Sequence, residues 1–374
     1  MPNSQSMWKR VPASNLSRLH RLMQQALAGL FCFAAATHAP LAAAALPPGA
    51  EPAPAAQPAA AITTSPVPPA DGRQWLELMR QALTERNYSL SLVVADDQQM
   101  EPVQLLHGVT SHGQATLINY LNGPPRQVVR LANQVSYFEA DGEAYSLRAR
   151  RVAGPLPPAF FGDIGALAKS YDFVMAGRNR AAGRPVQLVR LAARDELRFS
   201  ALLWLDEASG LLLRLDLFTP AGQPVEQVQV VHLALHDGPD PALQALEPTA
   251  LPPLVTGPPP LRVDGTEGLR WSLGWLPSGF EVRYHDRHRL AQTNDPVDYY
   301  LLSDGLVELS VYIQPEPERR DSPQVAARGA TGIVTGWHNG IEVAAVGRLP
   351  VDTLGRVVEG VLAGLTPAAS GPAR

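Results

Sequence analysis

Apolar residues in this chain recur in two rhythms, and the change of rhythm marks out the elements. Between residues 75 and 83 the spacing is helical. Trp75, Leu78, Met79, Ala82 and Leu83 fall at i, i+3, i+4, i+7 and i+8, with Asp71 upstream as a cap. From residue 88 the period drops to two, where Tyr88, Leu90, Leu92 and Val94 alternate with Ser89 and Ser91. Apolar runs then return at short intervals: VQLLHGV, ATLINYL, RQVVRL, VSYFEA, EAYSLRA, PVQLVRL, LRFSALLWLD, LLLRLDLFTPAG and VEQVQVVHLAL. Turn signals separate them, Asn122-Gly123-Pro124-Pro125 and Asp141-Gly142 being the plainest. Only residues 160–171 interrupt with a helical look. Strands joined by such short turns pair antiparallel, because parallel pairing needs crossovers of about a dozen residues or more. The pattern therefore predicts an α+β first domain over residues 71–246, a meander of about nine or ten strands forming a large curled sheet or half-open barrel with covering helices.

Two of these strands are unusually apolar. Leu211, Leu213, Leu215 and Leu217 share one face, with Arg214 and Asp216 on the other. In the preceding strand Phe199, Leu203 and Leu205 lie on one face while Leu202 and Trp204 lie opposite. A strand apolar on both faces is covered on both, by the first helix or by something bound. Ordinary core is the commoner role for any one of these residues; an enclosed apolar ligand is the alternative.

A smaller α+β domain on antiparallel sheet is expected over residues 263–366. It holds WSLGWLPSGFE, a hairpin DYYLLSDGLVELSVYI, the runs GIVTGW and IEVAAVG, and a last helix starting near Pro350. Leu354, Val357, Val358, Val361 and Leu365 give that helix one apolar face. Asp304-Gly305 is what a tight hairpin needs, so its expected role is purely structural. Pro315 and Pro317 end the second strand and discourage edge pairing.

Proline clusters mark the boundaries. Residues 46–70 read as a flexible proline-alanine leader, residues 247–262 as a semi-rigid linker, and residues 367–374 as a tail. The first 45 residues carry Lys9, Arg10, Arg18 and Arg21, no acid, a short apolar core over Ala26–Ala36 and small-residue exits. These are the parts of a cleaved secretory signal peptide, and the core is too short to span a membrane as a helix. Cys32, the one cysteine, leaves with it, so the mature chain folds without disulfides. It keeps 27 basic against 35 acidic residues, a net charge of −8, which argues against nucleic acid as a partner.

No nucleophile elbow, phosphate-cradling glycine loop or HExxH pattern occurs, and thiol chemistry is excluded with the cysteine. The best metal candidate, His285 and His288 around Asp286, fails on geometry: residues three apart on a strand point to opposite faces. His107 and His112 flank a turn and read as polar structure. The expectation is a binding protein with no catalytic residues, metal or cofactor.

Several stretches, taken in order, resemble the RseB/MucB family of regulators of the envelope-stress sigma factor. They are ALTERNYSLSLVV, NGPPRQVVRLANQVSYFE, the run from Tyr171 to Phe218, WLPSGF and YLLSDGLVELSVYI. The resemblance spans roughly Trp75 to Leu365; the long leader and the acidic proline run after Ile313 depart from it. It implies a first domain similar to the lipoprotein carriers LolA and LolB, and a periplasmic location. It implies as partners the periplasmic segment of a membrane-anchored anti-sigma factor, which the protein shields from proteolysis, and the acyl chains of lipopolysaccharide or lipoprotein, which relieve that protection. A plain periplasmic carrier of lipid or lipoprotein is the alternative. The residues expected to line a lipid site are Leu90, Leu92, Phe199, Leu203, Trp204, Leu213 and Leu217. Those expected to meet the partner are Tyr299, Tyr300, Leu306 and Trp337. The sequence is also compatible with a homo-oligomer.

Overall fold

The computed structural model describes residues 69–140, 142–149, 152, 154–254, 273–289, 296–316 and 323–364. The expected signal peptide with Cys32, nearly all of the expected leader, the second half of the expected linker, Pro317, Leu365 and the expected tail lie outside the described residues.

The first helix, α1 (Gly72–Glu85), starts where Asp71 accepts a hydrogen bond from the Gln74 amide at 2.8 Å, and it buries Trp75, Leu76, Met79, Ala82 and Leu83. Eleven strands follow: β1 (Asn87–Ala95), β2 (Met100–Thr110), β3 (Gly113–Tyr120), β4 (Arg126–Leu131), β5 (Gln134–Glu139), β6 (Tyr145–Arg148), β7 (Tyr171–Ala181), β8 (Arg184–Ala193), β9 (Ser200–Asp206), β10 (Leu212–Phe218) and β11 (Pro224–His236). The sheet is antiparallel, as expected, but it is not one meander. Its order is β6-β5-β4-β3-β2-β1-β11-β10-β9-β8-β7. One meander runs out from β1 to an edge at β6. Between β6 and β7 the chain crosses the sheet, its described residues there including a 3₁₀ turn at Pro158–Phe161 and the one-turn helix α2 (Ile164–Leu167), and a second meander returns from the far edge to pair β11 with β1. The edge strands β6 and β7 do not pair, so the sheet stays open. Strand β7 was missed by the alternation because most of it is exposed and a bulge between Met175 and Arg178 breaks its period.

The inner face packs on α1 and the crossing segment through one large core that includes Leu90, Leu92, Leu203, Leu213, Phe160 and Leu167. The outer face of β2–β5 is covered by residues 239–254. There the short helix α3 (Pro241–Gln244) seats Leu243 on Leu106, Leu117, Val129 and Leu131. The stretch expected to start a linker at residue 247 thus begins as a strap on the large sheet. Ser146 donates from its amide to the Pro253 carbonyl at 3.2 Å and from its hydroxyl to the Pro252 carbonyl at 2.7 Å.

The second unit is a six-stranded antiparallel sheet in the order β12-β13-β14-β17-β16-β15. Its strands are β12 (Glu281–Arg289), β13 (Pro296–Ser303), β14 (Glu308–Pro315), β15 (Gln324–Arg328), β16 (Thr331–His338) and β17 (Ile341–Gly347). The expected hairpin is β13–β14, in register from Asp298–Ile313 to Ser303–Glu308, with Gly305 at φ +99° in the turn. The closing helix α4 (Val351–Ala363) lays Leu354, Val357, Val358 and Val361 on β16 and β17. Gly336 is required there, since a Cβ on it would stand 2.6 Å from a Val358 methyl.

Candidate functional site

The two units meet along a polar seam. At its centre stands Arg198, in the turn between β8 and β9, with a guanidinium that is fully buried. Asp195 holds it at 2.9 and 2.8 Å, the Ser278 carbonyl accepts at 2.6 Å, and Asp304 of the small unit takes the remaining corner. The rings of Tyr171 and Phe280 stand 5.9 and 5.6 Å from its centre. Asp304 itself is fixed by accepting the amides of Leu306 and Val307 at 3.0 and 2.8 Å. Burial works against the Arg198 cation, and the bonds and charges of Asp195 and Asp304 more than offset it, so its pKa lies above the ordinary arginine value. The Asp304-Gly305 turn, expected to be purely structural, is therefore half of a clasp between the units.

Further contacts run along the seam. Thr353 at the start of α4 donates to the Leu197 carbonyl at 2.8 Å, Lys169 meets Glu281 at 3.1 Å, and Arg348 meets Glu226 at 2.5 Å. Leu306 packs against both cores, and Ala330 of the small unit belongs to the core of the large one.

Beyond the seam the inner face opens into a cleft of about 550 Å³, within the range of ligand sites. Among the described residues its walls include Val94, Tyr120, Arg126 and Glu139 of the large sheet and Arg328 and Thr331 of the small unit. Arg126 lies 3.6 Å over the Tyr120 ring and pairs with Glu101, while Arg328 reaches Asp96 at 3.7 Å. A segment lying here touches both units at once.

Away from the cleft the inner face is filled. Leu90, Leu92, Phe199, Leu203, Leu213 and Leu217 come together in the main core, each less than a tenth exposed. Trp204 is partly buried against the same cluster but not on the inner face. It sits on the outer face, where its Nε1–H donates to Asp216 at 3.0 Å and Arg214 stacks 4.7 Å over its ring. Alternation along β9 makes this unavoidable, since Leu203 and Trp204 are neighbours. A small cavity of about 20 Å³ does lie at the other end of the inner face, between β1–β4 and residues 152–161.

The four residues expected to meet a partner are scattered. Tyr299 is buried against Tyr312 at 4.9 Å, on the face opposite α4, with its hydroxyl 3.2 Å from that of Ser310. Tyr300 points the other way and stacks on His285 at 4.0 Å; burial raises its pKa to about 12. Trp337 is tied through Nε1 to the Glu316 carbonyl at 2.7 Å. Leu306 alone lies on the seam. Of the histidine pair, the His288 side chain falls outside the description. Nothing in the alternating pattern singled out Arg198 or Asp304, whose partnership spans 106 residues; the available hint was an arginine three after an aspartate inside a turn.

Comparison with known proteins covers both units. Residues 71–255 match the model of the MucB/RseB N-terminal domain, and residues 265–362 that of the MucB/RseB C-terminal domain. The sigma-E factor regulatory protein RseB of Escherichia coli strain K12 is 32% identical over 288 residues, covering 76% of this chain and 89% of RseB. The sigma factor AlgU regulatory protein MucB of Pseudomonas aeruginosa strain PAO1 is 28% identical over 293 residues, covering 77% and 90%. Among solved structures, the Pseudomonas aeruginosa MucA/MucB complex superposes with a TM-score of 0.62 at 26% identity, covering 77% of this chain and 97% of that one.

Proposed function

The chain belongs to the MucB/RseB family of sigma-factor regulatory proteins, and on that premise we propose that it works in the periplasm by binding, not catalysis. Its partner is the periplasmic segment of a membrane-anchored anti-sigma factor, which it holds away from a protease. Mislocalised lipopolysaccharide or lipoprotein ends that protection. The observation that carries the reading is the likeness to a solved MucA/MucB complex over 77% of this chain.

The geometry supplies a physical route. A peptide in the cleft touches both units, so its affinity depends on how they are arranged. An acyl chain can enter the inner face only by displacing side chains that now fill it, at α1 or the crossing segment, and each buried CH₂ returns about 0.8 kcal/mol. If that displacement strains the seam, lipid and peptide weaken each other by the same factor. The test immobilises the periplasmic segment of the cognate anti-sigma factor and adds the purified mature chain, then lipopolysaccharide. Binding at micromolar concentration, reversed by lipopolysaccharide, is expected. Absence of binding removes the partner reading; binding that lipopolysaccharide leaves untouched removes the sensing step alone.

A further inference from the structure

Two arginines of the large unit are buried, and they are treated differently. Arg198 has two carboxylates. Arg130, on the inner face of β4 and only 8% exposed, has no carboxylate within ion-pair distance among the described residues. Its Nε–H donates to the Ala132 carbonyl at 3.3 Å and one Nη2–H to the Gln114 side-chain oxygen, which leaves three of a guanidinium's five donors uncommitted. Buried cations normally find a counter-charge, because removal from water is otherwise uncompensated. Burial accordingly pushes the Arg130 pKa below the ordinary arginine value.

The uncompensated cation lines the small cavity at the closed end of the inner face. Pairing register places Tyr88, His107, Thr116 and Arg130 in one row across β1–β4. His107 is neutral: desolvation takes its pKa down to about 4, and the Arg86 carbonyl, 2.9 Å from Nδ1, requires the proton there, leaving Nε2 as an acceptor. The next row along the strands is apolar throughout, Leu90, Leu105, Ile118 and Val128. One polar row closing an apolar trough is the outline of an amphiphile lying along the strands.

We propose that Arg130 is the head-group anchor of an oxyanion site, which takes a single-chain acidic amphiphile with its tail along the apolar rows. The inference rests on the reading that the inner face accepts an acyl chain, and it adds which end enters first and what recognises it. The cavity now has room for about one water-sized group, so the tail must displace Val152, Leu156 and Phe161. Among the described residues from 152 to 162 the backbone bonds are local, Phe160 to Pro157 and Gly162 to Ala159, so moving these three side chains breaks no sheet ladder.

The experiment measures binding of cis-parinaric acid, a fluorescent fatty acid, and of its methyl ester to the full mature chain. The acid binds at least about tenfold tighter than the ester, as a charge-assisted hydrogen bond predicts. Arg130→Met abolishes that preference while leaving ester binding in place, and Arg130→Lys retains part of it. Thr116→Asp sets a carboxylate opposite Arg130 in register. It raises the thermal midpoint and removes the preference together, and it carries the test if Arg130→Met fails to fold. Dodecanoate and dodecyl phosphate each displace the probe if the site reads an oxyanion, and their order tells which one it prefers. Equal affinity for acid and ester, or a preference that survives Arg130→Met, overturns the site while leaving the acyl reading standing. No binding of either probe overturns both.

Discussion

Two contacts of the large sheet differ in kind, one with α1 and the crossing segment over its inner face, the other with the small unit at the seam. The inner contact is largely apolar, with Tyr88, His107, Thr116 and Arg130 forming one polar row across β1–β4. The seam is the reverse, held by a buried ion-paired clasp with ion pairs spaced along it. Apolar packing is non-directional and tolerates rearrangement if the area is kept, whereas a buried guanidinium is satisfied in one geometry only. The inner face therefore resembles a surface that can yield, and the seam one that is either engaged or broken.

Asp304→Ala should have the largest effect. It leaves a buried cation short of one carboxylate and costs about 3–5 kcal/mol. Thermal unfolding followed by calorimetry is expected to split into two transitions as the units uncouple; a single cooperative transition at the native midpoint would remove the clasp from the account. Leu203→Ala tests the other side. Leu203 is wholly buried, so truncation costs about 3 kcal/mol through lost transfer energy and the cavity left behind, yet the units should stay coupled. Splitting of its transition would mean that the two regions are not distinct.

His107→Gln is the finest probe, because it acts through pH. The folded pKa of about 4 lies below the ordinary histidine value of 6.5, so between these limits the unfolded chain binds more protons than the folded one. Stability contributed by neutral His107 is complete above about pH 6.5 and is lost as pH falls toward 4, to a limit of about 3 kcal/mol. Denaturant titrations across this window should show the acid slope in the native chain and a flatter one in His107→Gln, whose amide can still donate toward the Arg86 carbonyl. An unchanged slope would place the titration elsewhere.

What the sequence determined by itself was set by local periodicity. Alternation at Tyr88, Leu90 and Leu92, helical spacing at Trp75 and Met79, and the Asp304-Gly305 turn each follow from a few neighbouring residues, so elements, antiparallel pairing and two-unit organisation were legible. Strand β7 escaped because an exposed, bulged edge strand leaves no apolar signal. The tertiary structure alone decided the rest. It joined β1 to β11 across the whole first unit, put Trp204 behind the sheet instead of inside it, buried Tyr299, brought Asp304 to Arg198 and, among the described residues, left Arg130 without a carboxylate in ion-pair reach. Each of these depends on which distant groups share a low-dielectric neighbourhood, and a hydrophobic rhythm carries no record of that.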